Sequence, residues 1–178
     1  MDNISNITTT RSIENVLNNN KTPLDHKTIG NYLQYLCNAF LYYKVKRYDI
    51  QGKQYLTRQD KYYLVDHGFK YAKLGMKNIN YGRVYENIVA MELLRSGYEI
   101  YVGTLYNNET DFVAMKQNEK IHIQVSDDIS NEETVKREVD SLLKIRDAYP
   151  KKLIARTKHD TYTYEGVEII DIAKWLAN

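Results

Sequence analysis

Three polar positions in the second half of the chain are placed where chemistry could be done. Glu86 falls in the first turns of an expected helix, beside Gly82, Arg83 and Asn87 and in line with Ala90 and Leu93. Asp111 opens an expected strand, Asp111-Phe112-Val113-Ala114-Met115. In the next strand Ile121, Ile123 and Val125 point one way while His122, Gln124 and Ser126 point the other, since the side-chain period is two. A second set is basic: Lys27, Thr28, Asn31 and Gln34 on an expected helix, then Lys44, Lys46, Arg47 and Lys53 on an expected hairpin. Side chains of that kind suit phosphate and base-edge contacts. Other chemistries are closed. Cys37 is the single cysteine, and His26, His67 and His159 are scattered, so no zinc spacing forms. No GxxxxGK[ST] phosphate loop occurs.

Each of the acidic positions also has a plain structural reading. Glu86 near a helix N-terminus is favoured by the dipole alone, by under about 1 kcal/mol when exposed. Asp111 can cap a turn after Asn107-Asn108, and His122, Gln124 and Ser126 can form the solvated face of a strand. In the basic set, a lysine-rich surface needs no ligand.

The elements that must carry these residues follow from periodicity. Ile13, Val16 and Leu17 recur at helical spacing after Thr8-Thr9-Thr10, and Asn18-Asn19-Asn20 stops that helix. Asp25 is the expected N-cap of a second helix, whose Ile29, Leu33, Leu36, Cys37 and Phe40 share one face. Cys37 on that stripe reads as a packed thiol. Extended segments follow at 42–49, 54–57 and 61–65, with a turn at Gln51-Gly52-Lys53. Two helices and a basic hairpin are the ingredients of a winged helix-turn-helix. Residues 75–80 are the expected boundary region. Beyond it come a helix over 81–96 ended by Gly97, strands near 98–105, 110–116 and 120–126, and a helix opened by a capping box at Ser130-Asn131-Glu132-Glu133. Strands near 152–156 and 167–170 and a closing helix with Trp175 complete a mixed sheet with helices packed on it.

Composition agrees with one or two small units. The chain has 178 residues, 43% apolar and 27% charged, so it is neither disordered nor fibrous. Residues 1–80 hold 12 basic against 6 acidic residues, whereas 81–178 hold 13 against 17. A basic first unit could face a polyanion. No apolar run reaches the roughly 18 residues of a membrane span, and the first residues lack a signal-peptide pattern, so a cytoplasmic protein with no membrane partner is expected.

The runs Tyr81-Gly82-Arg83-Val84-Tyr85-Glu86-Asn87, Glu109-Thr110-Asp111-Phe112-Val113 and Ile121-His122-Ile123-Gln124-Val125 resemble the C-terminal half of a bacterial and archaeal family of AAA-type ATPases. In that family a winged helix and a restriction-endonuclease-like domain follow the ATPase core. Thr28-Ile29-Gly30-Asn31-Tyr32-Leu33 resembles its second winged-helix helix, and Lys61-Tyr62-Tyr63-Leu64-Val65-Asp66-His67-Gly68 its basic stretch. The resemblance implies an α+β chain: a winged helix-turn-helix over 1–76, then a restriction-endonuclease-like α/β domain with a mixed sheet over 77–178. It also implies that the chain is a C-terminal piece, since Met1-Asp2-Asn3-Ile4-Ser5-Asn6 looks like an internal segment of such ATPases.

A PD-(D/E)XK site, implied by that fold, needs carboxylates on Mg²⁺ and a lysine near the attacking water. Glu86 and Asp111 match the pattern as the candidate metal ligands. The E-x-K pair does not: it reads Gln124-Val125-Ser126. Gln124 offers only a neutral carbonyl, and Ser126 cannot replace an ammonium. The expected role is therefore non-catalytic binding and assembly, with Mg²⁺ held weakly if held, and ATP reached only through an upstream ATPase domain. DNA, that upstream domain and a second copy of the chain are the expected partners. A Mg²⁺-dependent DNA nuclease and a protein-interaction module are the alternatives.

Overall fold

A computed structural model describes residue 6 and residues 8–75, 79–106 and 108–177. The expected boundary at 76/77 lies outside the described residues. Helix α1 (Thr10–Asn19) opens with a capping box, in which the Ser12 N–H donates to Thr9 Oγ1 and the Thr9 N–H to Ser12 Oγ. Helix α2 (His26–Asn38) is capped as expected by Asp25, which accepts the Lys27 and Thr28 N–H groups. Of its apolar stripe, Ile29 is buried, but Phe40 is 70% exposed. Phe40 lies past the end of the helix at a φ of 55°, which turns it off the stripe. Cys37 is half-buried, and burial pushes its thiol above the ordinary range, where it stays protonated.

Strands β1 (Tyr42–Asp49) and β2 (Gln54–Leu64) form an antiparallel hairpin. The two short segments expected at 54–57 and 61–65 are thus one strand. It is interrupted by a bulge: the register passes from Val45↔Lys61 to Arg47↔Leu56, leaving residues 57–60 opposite Lys46, with Gln59 at a φ of 66°. A short helix α3 (Gly68–Leu74) follows, and then α4 (Tyr81–Arg95), capped by Asn80 and ended at Gly97, whose φ is 82°.

β3 (Glu99–Leu105), β4 (Asn108–Lys116) and β5 (Glu119–Ser126) form an antiparallel meander. Helix α5 (Glu132–Leu143) has Asn131 as its cap, accepting the Glu133 N–H, rather than the expected Ser130. β6 (Lys151–Ala155), β8 (Val167–Asp171) and α6 (Ile172–Leu176) stand close to their expected places, with Asp171 capping α6. β7 (Tyr162–Tyr164) is an additional three-residue strand on the sheet edge.

Among the described residues the eight strands form one mixed sheet in the order β2-β1-β3-β4-β5-β6-β8-β7. β1 runs parallel to β3 through Arg47↔Val102 and Asp49↔Thr104, so the N-terminal hairpin continues the sheet of the second half. Alternation along β4 assigns the two faces. Phe112 and Ala114 pack with Val89, Ala90 and Leu93 of α4, while Val113 packs with Val139 and Leu142 of α5. Each of the buried Phe, Val and Leu side chains contributes about 1.5–3 kcal/mol relative to exposure. Because both faces are covered, the expected solvated face of β5 is not one: His122 has no exposure and Ser126 is buried. No helix among the described residues is long and apolar enough to cross a membrane.

Candidate functional site

Glu86, Asp111 and Gln124 come together in one cleft. Asp111 falls one residue beyond the paired stretch of β4 and β5, which begins at Phe112↔Ile123. At that parting its Oδ2 accepts the Val125 N–H at 2.8 Å, and its own N–H donates to Gln124 Oε1 at 3.3 Å. Glu86 arrives from α4. Asp111, Glu86 and Gln124 line one open cleft of about 620 Å³, together with Glu109, Arg83 and Lys61.

Lys61 is the residue that local sequence reasoning did not place here. Its β2 register opposite Val45 turns it toward the α4 face, where the ammonium is 2.6 Å from Glu109, 3.2 Å from Glu86 and 4.0 Å from Asp111. Two residues on, the Tyr63 hydroxyl donates to the same Glu86 oxygen at 2.7 Å. An ammonium thus reaches these carboxylates from β2. Its sequence signal was a lysine at the head of Lys61-Tyr62-Tyr63, with period two putting Lys61 and Tyr63 on one face. Which cluster that face would meet depends on the β1–β3 pairing.

The electrostatics follow from burial. Burial alone would lower Lys61, but Glu86, Asp111 and Glu109 hold it above the ordinary lysine range. Burial raises Glu86 above the usual carboxylate value, against the pull of Lys61 and Tyr63. Asp111 is also raised well above its ordinary value, by burial first and then by Glu86. Three carboxylates share one ammonium.

Gln124 and Ser126 have other partners. Gln124 Nε2 donates to Glu138 of α5 at 3.2 Å, and Glu138 also accepts from Arg137. The Ser126 hydroxyl donates to the Asp128 carbonyl, and Ser126 lines an adjoining depression of about 320 Å³ with Gly82, Asp127 and Glu138. Among the described residues, no group of three or more His, Cys, Asp or Glu side chains is arranged as a metal site.

The basic set is more dispersed. Thr28 donates to its own cap Asp25, and Gln34 to Asn38 one turn on. Lys44 pairs with Asp60 at 2.9 Å, and Arg47 with Gln59 in the bulge. Gln34 and Lys44 meet across a cleft of about 570 Å³ between α1, α2 and the hairpin. Lys27, Asn31, Lys46 and Lys53 are exposed, Lys53 at the hairpin turn.

Residues 1–80 match the model of a domain of unknown function, DUF8612. Over 175 residues the chain is 42% identical to an uncharacterized protein of Haemophilus influenzae, an alignment covering 98% of this chain and 43% of that protein. It is 30% identical over 167 residues to an uncharacterized protein of Methanocaldococcus jannaschii, covering 91% of this chain and 36% of that one. The chain therefore spans less than half the length of these relatives. No solved structure matches it.

Proposed function

We propose that the chain carries a nucleic-acid phosphodiesterase site of the restriction-endonuclease-like kind, dependent on a divalent cation, with Lys61 in place of the lysine absent at Ser126. The observation that carries this reading is the approach of the Lys61 ammonium to Glu86, Glu109 and Asp111. The order α4-β3-β4-β5-α5-β6 around that cluster supports it.

The donors are of the hard oxygen kind that Mg²⁺ takes, although with Lys61 among them they are not gathered as a metal site. Glu86, Asp111 and Glu109 outnumber the Lys61 ammonium that stands among them. Glu86 and Asp111 would hold the ion, with the Gln124 carbonyl as a neutral neighbour. When bound, Mg²⁺ supplies Lewis-acid polarisation of a phosphoryl oxygen and a more acidic water. Tyr63 fixes the Glu86 carboxylate, and the Val125 N–H fixes that of Asp111. Lys61, released from the acids, is the cation that faces the developing charge on phosphate. In this reading the N-terminal unit is a winged helix that helps hold DNA, and the chain is the cytoplasmic C-terminal part of a longer AAA-type ATPase.

Nicking of supercoiled DNA by the purified chain tests the site. Mg²⁺-dependent nicking lost in both Asp111→Ala and Lys61→Met supports it, and nicking that survives Asp111→Ala overturns it. A second reading rests on Gln124, which is uncharged and engaged at both ends by Asp111 and Glu138. There the site is non-catalytic and Lys61 is a counter-ion that fastens the hairpin to α4. No nicking at any Mg²⁺ concentration, with Lys61→Met affecting stability alone, would establish that alternative.

A further inference from the structure

On the sheet face that carries α5, a belt of tyrosine rings is bordered by lysine ammoniums. Tyr55 of β2 lies 4.9 Å from Tyr101 of β3 and 5.6 Å from Tyr48 of β1, between ring centroids. Lys120 of β5 reaches over the face to stand 5.1 Å from the Tyr48 centroid and 4.7 Å from that of Tyr149. Lys44 and Lys46 border an open depression of about 350 Å³ against Tyr55 and Tyr101. Glu99, which accepts the Tyr101 hydroxyl, also lines it.

Packing accounts for only part of this belt. Tyr48 is buried against the α5 core, but Tyr55 is 56% exposed and Tyr149 44%. Rings left this open forgo much of the area an aromatic side chain can bury. Their exposed parts suit flat π-systems, and the neighbouring ammoniums suit anions joining those systems. A single strand of nucleic acid offers both in one ligand. A duplex hides its base faces and meets only the lysines, and an apolar protein surface would desolvate those ammoniums without compensation.

We propose that the belt of Tyr55, Tyr101 and Tyr149, with Lys46 and Lys120, is a stacking surface for single-stranded nucleic acid. It makes no use of the carboxylate cleft and stands whether or not that cleft cleaves.

Fluorescence anisotropy in EDTA, with labelled oligonucleotides of about 16 nucleotides, tests it at the upper end of single-strand site sizes. Oligo(dT), oligo(U) and duplex DNA of equal length form the three arms. One or both single strands bind more tightly than the duplex. Tyr55→Ala and Tyr149→Ala each weaken that binding about tenfold, within the range for one stacked base. Tyr55→Phe keeps it. Lys120→Ala flattens the salt dependence by about 0.7 in slope, one phosphate's worth for a single strand. Equal affinity for duplex and single strand would overturn the proposal, as would binding indifferent to Tyr55→Ala. Self-association abolished by Tyr55→Ala would instead assign the belt to a second copy of the chain.

Discussion

The Asn87 side chain meets both backbone groups of Leu64: its Oδ1 accepts the Leu64 N–H at 2.7 Å and its Nδ2 donates to the Leu64 carbonyl at 2.8 Å. Both residues are fully buried. One position earlier in α4, Glu86 holds Tyr63 and Lys61, so two consecutive helix residues fasten the end of β2 to the second half of the chain.

Asn87→Ala leaves a buried N–H and a buried carbonyl without partners, each worth about 1–3 kcal/mol. The expected loss is about 3 kcal/mol in urea unfolding at neutral pH. Asn87→Asp should be no better, because it removes the donor and buries a charge. A loss within about 0.5 kcal/mol, the range of surface substitutions, would show that the clamp contributes little.

Lys61→Met removes the one ammonium from three carboxylates, and breaking a buried pair in this way costs about 3–5 kcal/mol. The loss depends on pH. Glu86 and Asp111 already sit above their ordinary values in the folded chain, so the fold prefers them protonated. Without Lys61 they rise further. A carboxyl whose folded pKa is raised favours the fold below the unfolded value of about 4, and that stability is lost as pH rises toward the folded value. The variant should therefore lose more stability at neutral pH than in mild acid. Urea midpoints at both pH values measure this, and a difference from the parent chain that does not change with pH would contradict it.

Local chemistry explains what could be read from the sequence. Asp25, Gly97 and the apolar alternation of β5 act within a few residues of themselves, and each element appears where its signal lies. Glu86, Asp111 and Gln124 were singled out by one helix face, one expected strand start and one strand parity together with the family resemblance, and they line one cleft, although β4 starts three residues before Asp111. Lys61 was not, because its destination depends on the parallel pairing of β1 with β3, between residues more than fifty positions apart. His122 was misread because strand parity says which residues share a face and not whether a helix covers it. Phe40 left its expected stripe because the helix ended before reaching it.

His122 should make the fold acid-sensitive. Its Nε2 lies 2.8 Å from Asp147, while Nδ1 is buried with no hydrogen-bond partner. Burial pushes its pKa below the ordinary value of 6.5 and outweighs the pull of Asp147. A histidine depressed in the fold contributes stability that is whole above its unfolded pKa and lost as pH falls toward the folded one. The slope is at most about 1.4 kcal/mol per pH unit below about 6.5. Because Glu86 and Asp111 act in the opposite sense, the difference between the parent chain and His122→Gln isolates it. Parallel profiles for the two proteins between about pH 5 and 7 would remove His122 as the sensor.

Gln124→Glu tests whether the cleft is short of positive charge. The new carboxylate loses the donor to Glu138, now facing it as a like charge at the place of a 3.2 Å hydrogen bond, and joins Asp111 at the mouth of the cleft. In EDTA the variant should melt several degrees lower, as a loss of about 1–2 kcal/mol does in a domain of this size. Mg²⁺ should restore more of that loss than it adds to the parent chain, because a cation that binds only the folded form stabilises it by mass action. With Lys61 already present, Ser126→Lys should add little to nicking by Gln124→Glu. A Gln124→Glu protein whose melting is indifferent to Mg²⁺ would show that the carboxylates are not disposed to share a divalent ion, and the counter-ion reading of Lys61 would then stand.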